Sequence, residues 1–277
     1  MTVDEEKKVK DLEDEIKRLK GIKKTLRRNF QDMVGLLTTT ISQSNSFLGG
    51  HIKRVSVLSK SFAEYMRYEK DVVFRIYYGG LLHDIGMVGM PEHLISLASN
   101  NLDEKNEVLF RQHPLIGEKI ISSAYDLKET ALIIRGHHEE FSGDGFPDGL
   151  AGSEIPLGAR IVRLANDYDN AIYKEQIKAS EAVKKITERS GYIYDPKLAV
   201  YFTKFIKTNV DKQEHESTKT GLPMPELRKG MYIAEDINLT NGMLLLPKGV
   251  ILDDSMIEKI ESFESLLDMK RIISVVS

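Results

Sequence analysis

IYYGGLLHDIGMVGMP, residues 76–91, is an apolar run at helical spacing that stops at a His-Asp pair and gives way to a loop punctuated by Gly86, Gly89 and Pro91. A buried helix ending in His83 and Asp84 delivers two metal-ligating side chains to one end of a bundle. The same arrangement recurs at residues 131–150. There the apolar residues 131–134 lead to His137 and His138, followed by the Gly- and Pro-rich GDGFPDGL at 143–150. Apolar residues at helical spacing also mark 51–68, 71–85, 103–123, 126–138, 157–173, 179–190 and 196–208. No internal repeat is visible. The region from 48 to 210 therefore reads as one all-α domain.

Five of the seven histidines, His51, His83, His113, His137 and His138, lie in this domain at suggestive places; His93 and His215 lie in polar, loop-like surroundings. A single His such as His51 or His113 ordinarily reads as a surface or hydrogen-bonded core residue. Gathered beside Asp84 in a His-poor chain, the five point to metal binding. The chain has no cysteine, so disulfides are excluded and any ligand set is nitrogen and oxygen. Such a set suits Fe, Mn or Zn at a hydrolytic site. Two metals need a shared carboxylate, and Asp84 is the natural bridge.

The 277 residues suffice for one main domain with smaller appendages. Apolar residues make up 41% and charged residues 29%, and 39 Lys+Arg against 42 Asp+Glu leave a net charge of −3. This balance offers no global basic field for DNA or a membrane surface. No apolar run is long enough to span a bilayer and the N-terminus is charged, so the expected location is cytoplasmic.

Residues 1–47 read as an N-terminal helix. Val9, Ile16, Lys23, Phe30 and Leu37 fall at heptad position a, and Leu12, Leu19, Leu26 and Met33 at d. This pattern predicts a parallel two-stranded coiled coil, hence a homodimer; a single amphipathic helix packed on its own domain fits the same stripe. Residues 211–226 read as a linker. Residues 227–277 read as a small C-terminal α+β module: strands at 231–237 and 243–246 around Thr240-Asn-Gly242, a short helix at 254–263 and a last strand at 271–276. The expected fold class is mainly α: a helical bundle after a long coiled-coil helix, with a small C-terminal α+β appendage; the motifs quoted next give that bundle its resemblance to the HD type.

The motifs in residues 28–210 resemble those of the HD-GYP kind of HD phosphohydrolase, which hydrolyses cyclic dinucleotides, chiefly cyclic di-GMP. His51-Ile-Lys-Arg54-Val55 is similar to that family's His-x-x-Arg-Val motif. His83-Asp84-Ile-Gly86-Met-Val-Gly89-Met-Pro91 is similar to its His-Asp-x-Gly-Lys-x-Gly-x-Pro loop. His113-Pro-Leu-Ile-Gly117, the Gly143–Leu150 loop, residues 155–169 and Tyr194-Asp195-Pro196 continue the match. The resemblance implies two divalent metal ions, Fe or Mn with Zn as a further candidate. His51, His83 and Asp84 would serve one ion, His113, His137 and His138 the other, with Asp84 bridging. Asn166, or Asp167 beside it, stands where the family's last ligand Asp belongs. Arg54, Lys174, Lys178, Gly145, Phe146 and Pro147 are the implied substrate contacts; as residues alone, the two lysines read equally as solvated surface groups. A receiver or other signalling domain is an implied partner.

The chain departs from the family at several points. Met87 replaces the usual Lys, Phe146 the namesake Tyr, Ser142 an Asp, and Asn166 the last ligand Asp. Phe47 stands where members with a third metal carry Glu. The implied activity is hydrolysis of cyclic di-GMP or a related cyclic dinucleotide to linear dinucleotide or GMP, through a hydroxide held by two metals. The alternatives are a degenerate domain that binds metal and nucleotide or a partner protein with little turnover, and an HD phosphohydrolase acting on another nucleotide.

Overall fold

The computed structural model describes residues 3–96, 102–124, 127–215, 220–240, 244–246, 250, 252–263 and 272–276. The described chain is mainly helical. It divides into two compact units, Met1–Ile41 and Ser42–Ser277. The first consists of α1 (Val3–Ser44), a single helix of 42 residues whose last turn passes the unit boundary. Asn45 ends it: its backbone is extended at φ −148° and its side chain accepts the Leu48 N–H, capping α2 (Ser46–Tyr65). The helix expected over 3–47 therefore stops at Ser44, and His51 lies inside α2 rather than at its start.

The bundle continues with α3 (Lys70–Leu82), α4 (Glu92–Ser96), α5 (Glu104–Phe110), α6 (His113–Ser122), α7 (Lys128–Gly136), α8 (Leu157–Tyr173), α9 (Ala179–Glu188) and α10 (Pro196–His215). The single helix expected over 103–123 is two. Pro114 has no N–H to continue the ladder of α5, and it is accommodated in the first turn of α6. The core is built where α2, α3, α8 and α10 present apolar stripes to one another. Val55, Phe62, Ile76, Ile161, Leu164 and Phe202 are buried there, with Phe62 set edge-on to Phe202 at 5.1 Å. Beside this core α7 packs on α3 and α8, and α6 packs on α7 and on the turn after α3, which brings together the ends that carry His83, His113 and His137.

In the C-terminal segment, β1 (Thr220–Pro223), β5 (Ile272–Val276) and β2 (Tyr232–Ile233) form a three-stranded antiparallel sheet in that order, and β3 (Ile237–Asn238) pairs antiparallel with β4 (Leu244–Leu246). α11 (Asp254–Ser262) is capped by the Asp253 side chain. The stretch expected as a linker, 211–226, is structured at both ends: α10 runs to His215, and Thr220 pairs with Val275. Pairing with β5 satisfies the backbone groups of this polar stretch, and Leu222 packs on the segment's core. The strand expected over 231–237 is broken, β2 joining one sheet and β3 the other. The turn residues Asn241 and Gly242 lie outside the described residues.

Candidate metal centre

Asp84 follows α3 and opens a short 3-10 turn, Ile85–Met87. A Cβ on Gly86 would lie 2.0 Å from the His113 carbonyl oxygen, so only glycine lets this turn press against the start of α6. That approach places Asp84 among histidines from four elements. One carboxylate oxygen, Oδ2, lies 3.6 Å from His51 Nε2 and 3.4 Å from His83 Nε2; the other, Oδ1, lies 3.3 Å from His113 Nε2 and 3.8 Å from His137 Nε2. Two ligand groups result, His51–His83–Asp84 and His113–His137–His138, the potential ligand atoms of each lying within 4.8 Å of one another.

The outer nitrogens of these rings explain why a cation belongs here. His83, His113 and His137 each donate Nδ1–H to the carbonyl three residues earlier, of Gly80, Phe110 and Ile134, at 2.6–2.7 Å. His51 Nδ1 donates to Asp169 Oδ2 at 2.7 Å. With Nδ1–H turned outward, the neutral ring carries a bare lone pair on Nε2, facing the centre. His51 and His83 Nε2 are then 3.2 Å apart, and His113 and His137 Nε2 3.1 Å. Four lone pairs and a carboxylate at these separations repel one another unless positive charge lies among them. Outward N–H groups anchored to carbonyls or a carboxylate are the arrangement metal-ligating histidines adopt. The donor set fits two divalent ions.

Burial acts on the same groups. It pushes His51, His137 and His138 below the usual imidazole range; neighbouring histidines add to this at all three, and Asp169 opposes it at His51. Burial also disfavours charge on Asp84, but His83 and His113 outweigh it and hold this carboxylate well below its ordinary range. At His83 burial is outweighed by Asp84 and the Gly80 carbonyl, which raise its pKa. A divalent ion would displace that proton, while Asp84 stays ionised and His51, His137 and His138 are held toward the neutral form a metal requires.

Two supporting groups were not among the expected site residues. Asp169 is buried and accepts Arg54 Nε at 2.7 Å and Nη2 at 3.0 Å, besides His51. Its sequence signal was its position on α8, one turn after Asn166 on the same helix face. Arg54, expected at the substrate, instead stands behind His51, clasping Asp169 and lying 3.7 Å from the Tyr173 ring centroid. Glu139 accepts the Asp148 and Leu150 N–H groups at 2.7 and 3.0 Å, holding the Gly-rich loop after the His-His pair. No regular periodicity announces such a contact.

The loop bears on the centre through Phe146, whose ring stacks on His138 at 4.7 Å with 11° between planes; Arg111 covers Phe146, at 4.9 Å from its centroid. Gly145 permits close approach, since a Cβ there would lie 2.2 Å from the Glu140 nitrogen. Pro147 follows a cis peptide bond. Both shape the loop without lining the cavity. Ser142 bonds within the loop, to Asp144 at 3.0 Å. The stacking predicts that Phe146→Tyr keeps the metal content of the parent, because the ring face is unchanged. Phe146→Ala frees the His138 ring and should lower affinity at the second site about tenfold, as loss of an outer-shell support does. Metal titration of the three proteins measures the difference.

An open cavity leads to His51, Asp84 and His138, with Phe47, Met87, Asn166, Lys174, Lys185 and Arg189 also on its walls. Lys174 lies 5.4 Å from the Phe47 ring centroid, and burial lowers its pKa against the opposing charges of Asp84 and Asp169. Lys178 is exposed and does not line the cavity. Asn166 reaches the wall with its amide engaged, donating to Asp167 and accepting from Asn170. Asp167 joins neither ligand group: its carboxylate receives Arg163 Nε at 2.7 Å and the Tyr194 hydroxyl at 2.9 Å. A buried guanidinium is a stronger claim on that carboxylate than a turn toward the histidines. No helix among the described residues is long and apolar enough to cross a membrane.

Comparison with known proteins agrees with this geometry. Residues 35–198 match the HD domain family. A cyclic di-GMP phosphodiesterase of Thermotoga maritima is 33% identical over 172 residues, covering 60% of this chain and 46% of that protein. The cyclic di-GMP phosphodiesterase response regulator RpfG of Xanthomonas campestris is 29% identical over 173 residues, covering 60% and 46%. Among solved structures, an HDG"Y"P protein from Bdellovibrio bacteriovorus aligns with a TM-score of 0.51 at 26% identity, over 57% of this chain and 51% of that one. The chain spans about half the length of the curated relatives it matches. A family match over more than half the chain, on residues that include both ligand groups, makes it a member of the HD domain family, with the motif pattern of the HD-GYP kind.

Proposed function

We propose that the chain is a metal-dependent phosphodiesterase that hydrolyses cyclic di-GMP, or a related cyclic dinucleotide, to linear dinucleotide or GMP. The observation that carries this reading is Asp84, whose two oxygens each face a separate histidine group at an open cavity. His51, His83 and Asp84 would hold one divalent ion, and His113, His137 and His138 with Asp84 the other, Fe or Mn before Zn. Such ions lower the pKa of water and neutralise charge developing on phosphorus oxygens. The protein's own part is to fix the ligands from behind through Asp169 and the three carbonyls. Lys174, on the cavity wall, supplies a cation for a substrate phosphate. The kinship with cyclic-dinucleotide phosphodiesterases supports this substrate class.

A second reading, a domain that binds metal and nucleotide with little turnover, is favoured by Met87 and Asn166. Met87 is buried against the cavity where a cation would assist, and the Asn166 amide oxygen is taken by Asn170. Incubation of the Mn- or Fe-loaded protein with cyclic di-GMP, 3′3′-cGAMP and a panel of mononucleotides separates the readings. Linear dinucleotide or GMP from a cyclic substrate supports the first, saturable binding without product supports the second, and turnover of mononucleotides alone excludes both. If charge stabilisation limits the site, Met87→Lys restores one charge-assisted contact, worth about 2–4 kcal/mol or 10²–10³ in rate. We expect its turnover of cyclic di-GMP to exceed the parent's by about that factor. A folded, metal-loaded Met87→Lys protein no faster than the parent would show that the missing cation is not limiting.

A further inference from the structure

We propose that α1 pairs with α1 of a second copy of this chain as a parallel, in-register coiled coil. Over residues 9–26 the seam of this helix is exposed: Leu12, Leu19 and Leu26, at d, are 57%, 54% and 62% exposed, and Val9 and Ile16, at a, are similarly open. An isolated helix gains nothing from an apolar stripe in water, whereas a second copy buries it knob into hole. The flanking charges choose the occupant and its direction. In a parallel dimer each g residue faces the e residue five positions later on the other chain. Lys8 then meets Glu13, and Glu15 meets Lys20, opposite charges at both steps and on both sides of the seam. An antiparallel pair would instead set g against g and e against e. Ile22 follows at g and is 45% exposed, widening the apolar contact where the charge pairs end. Lys23, at a, faces its own counterpart in the dimer and keeps the pairing modest while disfavouring higher oligomers.

The absence of cysteine from the chain makes orientation directly testable. In Leu12→Cys the two sulfurs meet across a parallel, in-register seam, so mild oxidation should give a covalent dimer. Asp14→Cys, on the outer face at f, should not. Sedimentation of the intact chain at tens of micromolar and low salt should show a dimer. The pair of substitutions Lys8→Glu and Glu15→Lys sets like charges against each other at every flanking step and should weaken it about tenfold. Adding Glu13→Lys and Lys20→Glu restores opposite charges and should restore the affinity. The proposal is overturned if the intact chain remains a monomer, if Leu12→Cys crosslinks no faster than Asp14→Cys, or if the double charge reversal leaves the dimer as tight as before.

Discussion

Replacing Asp84 with Ala should empty both metal sites, taking the metal content from about two ions per chain to well below one, and cyclic-dinucleotide turnover should fall by at least about 10³. The reason is the division of its carboxylate: Oδ2 faces His51 and His83, and Oδ1 faces His113 and His137. Removing it takes an anionic ligand from both groups at once, and leaves imidazole lone pairs to repel each other with less positive charge between them. Asp84→Asn is the sharper variant, because it keeps the volume while losing the charge and one of the two acceptor oxygens. Elemental analysis of anaerobically prepared protein, with circular dichroism to verify the helices, measures the outcome. A full metal complement in either variant would exclude Asp84 as the bridge.

Asp169→Asn should have the second largest effect, through a residue that need touch neither metal nor substrate. Asp169 fixes the His51 tautomer by accepting its Nδ1–H. An Asn amide turned to donate there would drive the proton to Nε2, covering the lone pair that faces Asp84. Metal affinity of the His51 group should fall about 10–100-fold. The same change leaves Arg54, largely buried, without its carboxylate, at a cost of about 3–5 kcal/mol in stability. The two consequences separate in Arg54→Gln, which should be destabilised to denaturant yet keep its metals, since Asp169 still orients His51. If Asp169→Asn binds both ions as tightly as the parent, the carboxylate serves the fold alone. The depressed pKa of Asp169, which burial would raise but His51 and Arg54 hold down, is what a carboxylate committed as an anion to both partners shows.

His83, Asp84, His137 and His138 were legible in the sequence because they sit where an apolar helix ends and a Gly-Pro loop begins, whereas His51, inside α2, and His113, at the start of α6, stood out only in company with them. His83-Asp84 before Gly86 and His137-His138 before Gly143 are local patterns that need no tertiary information. The helix over 157–173 likewise emerged with the bounds its apolar spacing predicted. Asn166 and Asp167, adjacent in sequence, looked interchangeable; one residue on a helix turns a side chain by about 100°, and only packing revealed that Arg163 and Tyr194 wait on the Asp167 side. Arg54 looked like a substrate contact for the same reason: a sequence records the guanidinium but not the buried Asp169, 115 positions away, that claims it.

The sequence by itself determined the helical class and the candidate ligand types, because periodicity and chain punctuation are local properties. The tertiary structure decided what each ligand leans on: the carbonyls of Gly80, Phe110 and Ile134, the Asp169 carboxylate, and the Phe146 ring over His138. Those contacts join groups on different helices or fix rings by a few tenths of an ångström. They follow from how helices pack, which no single stretch of sequence encodes.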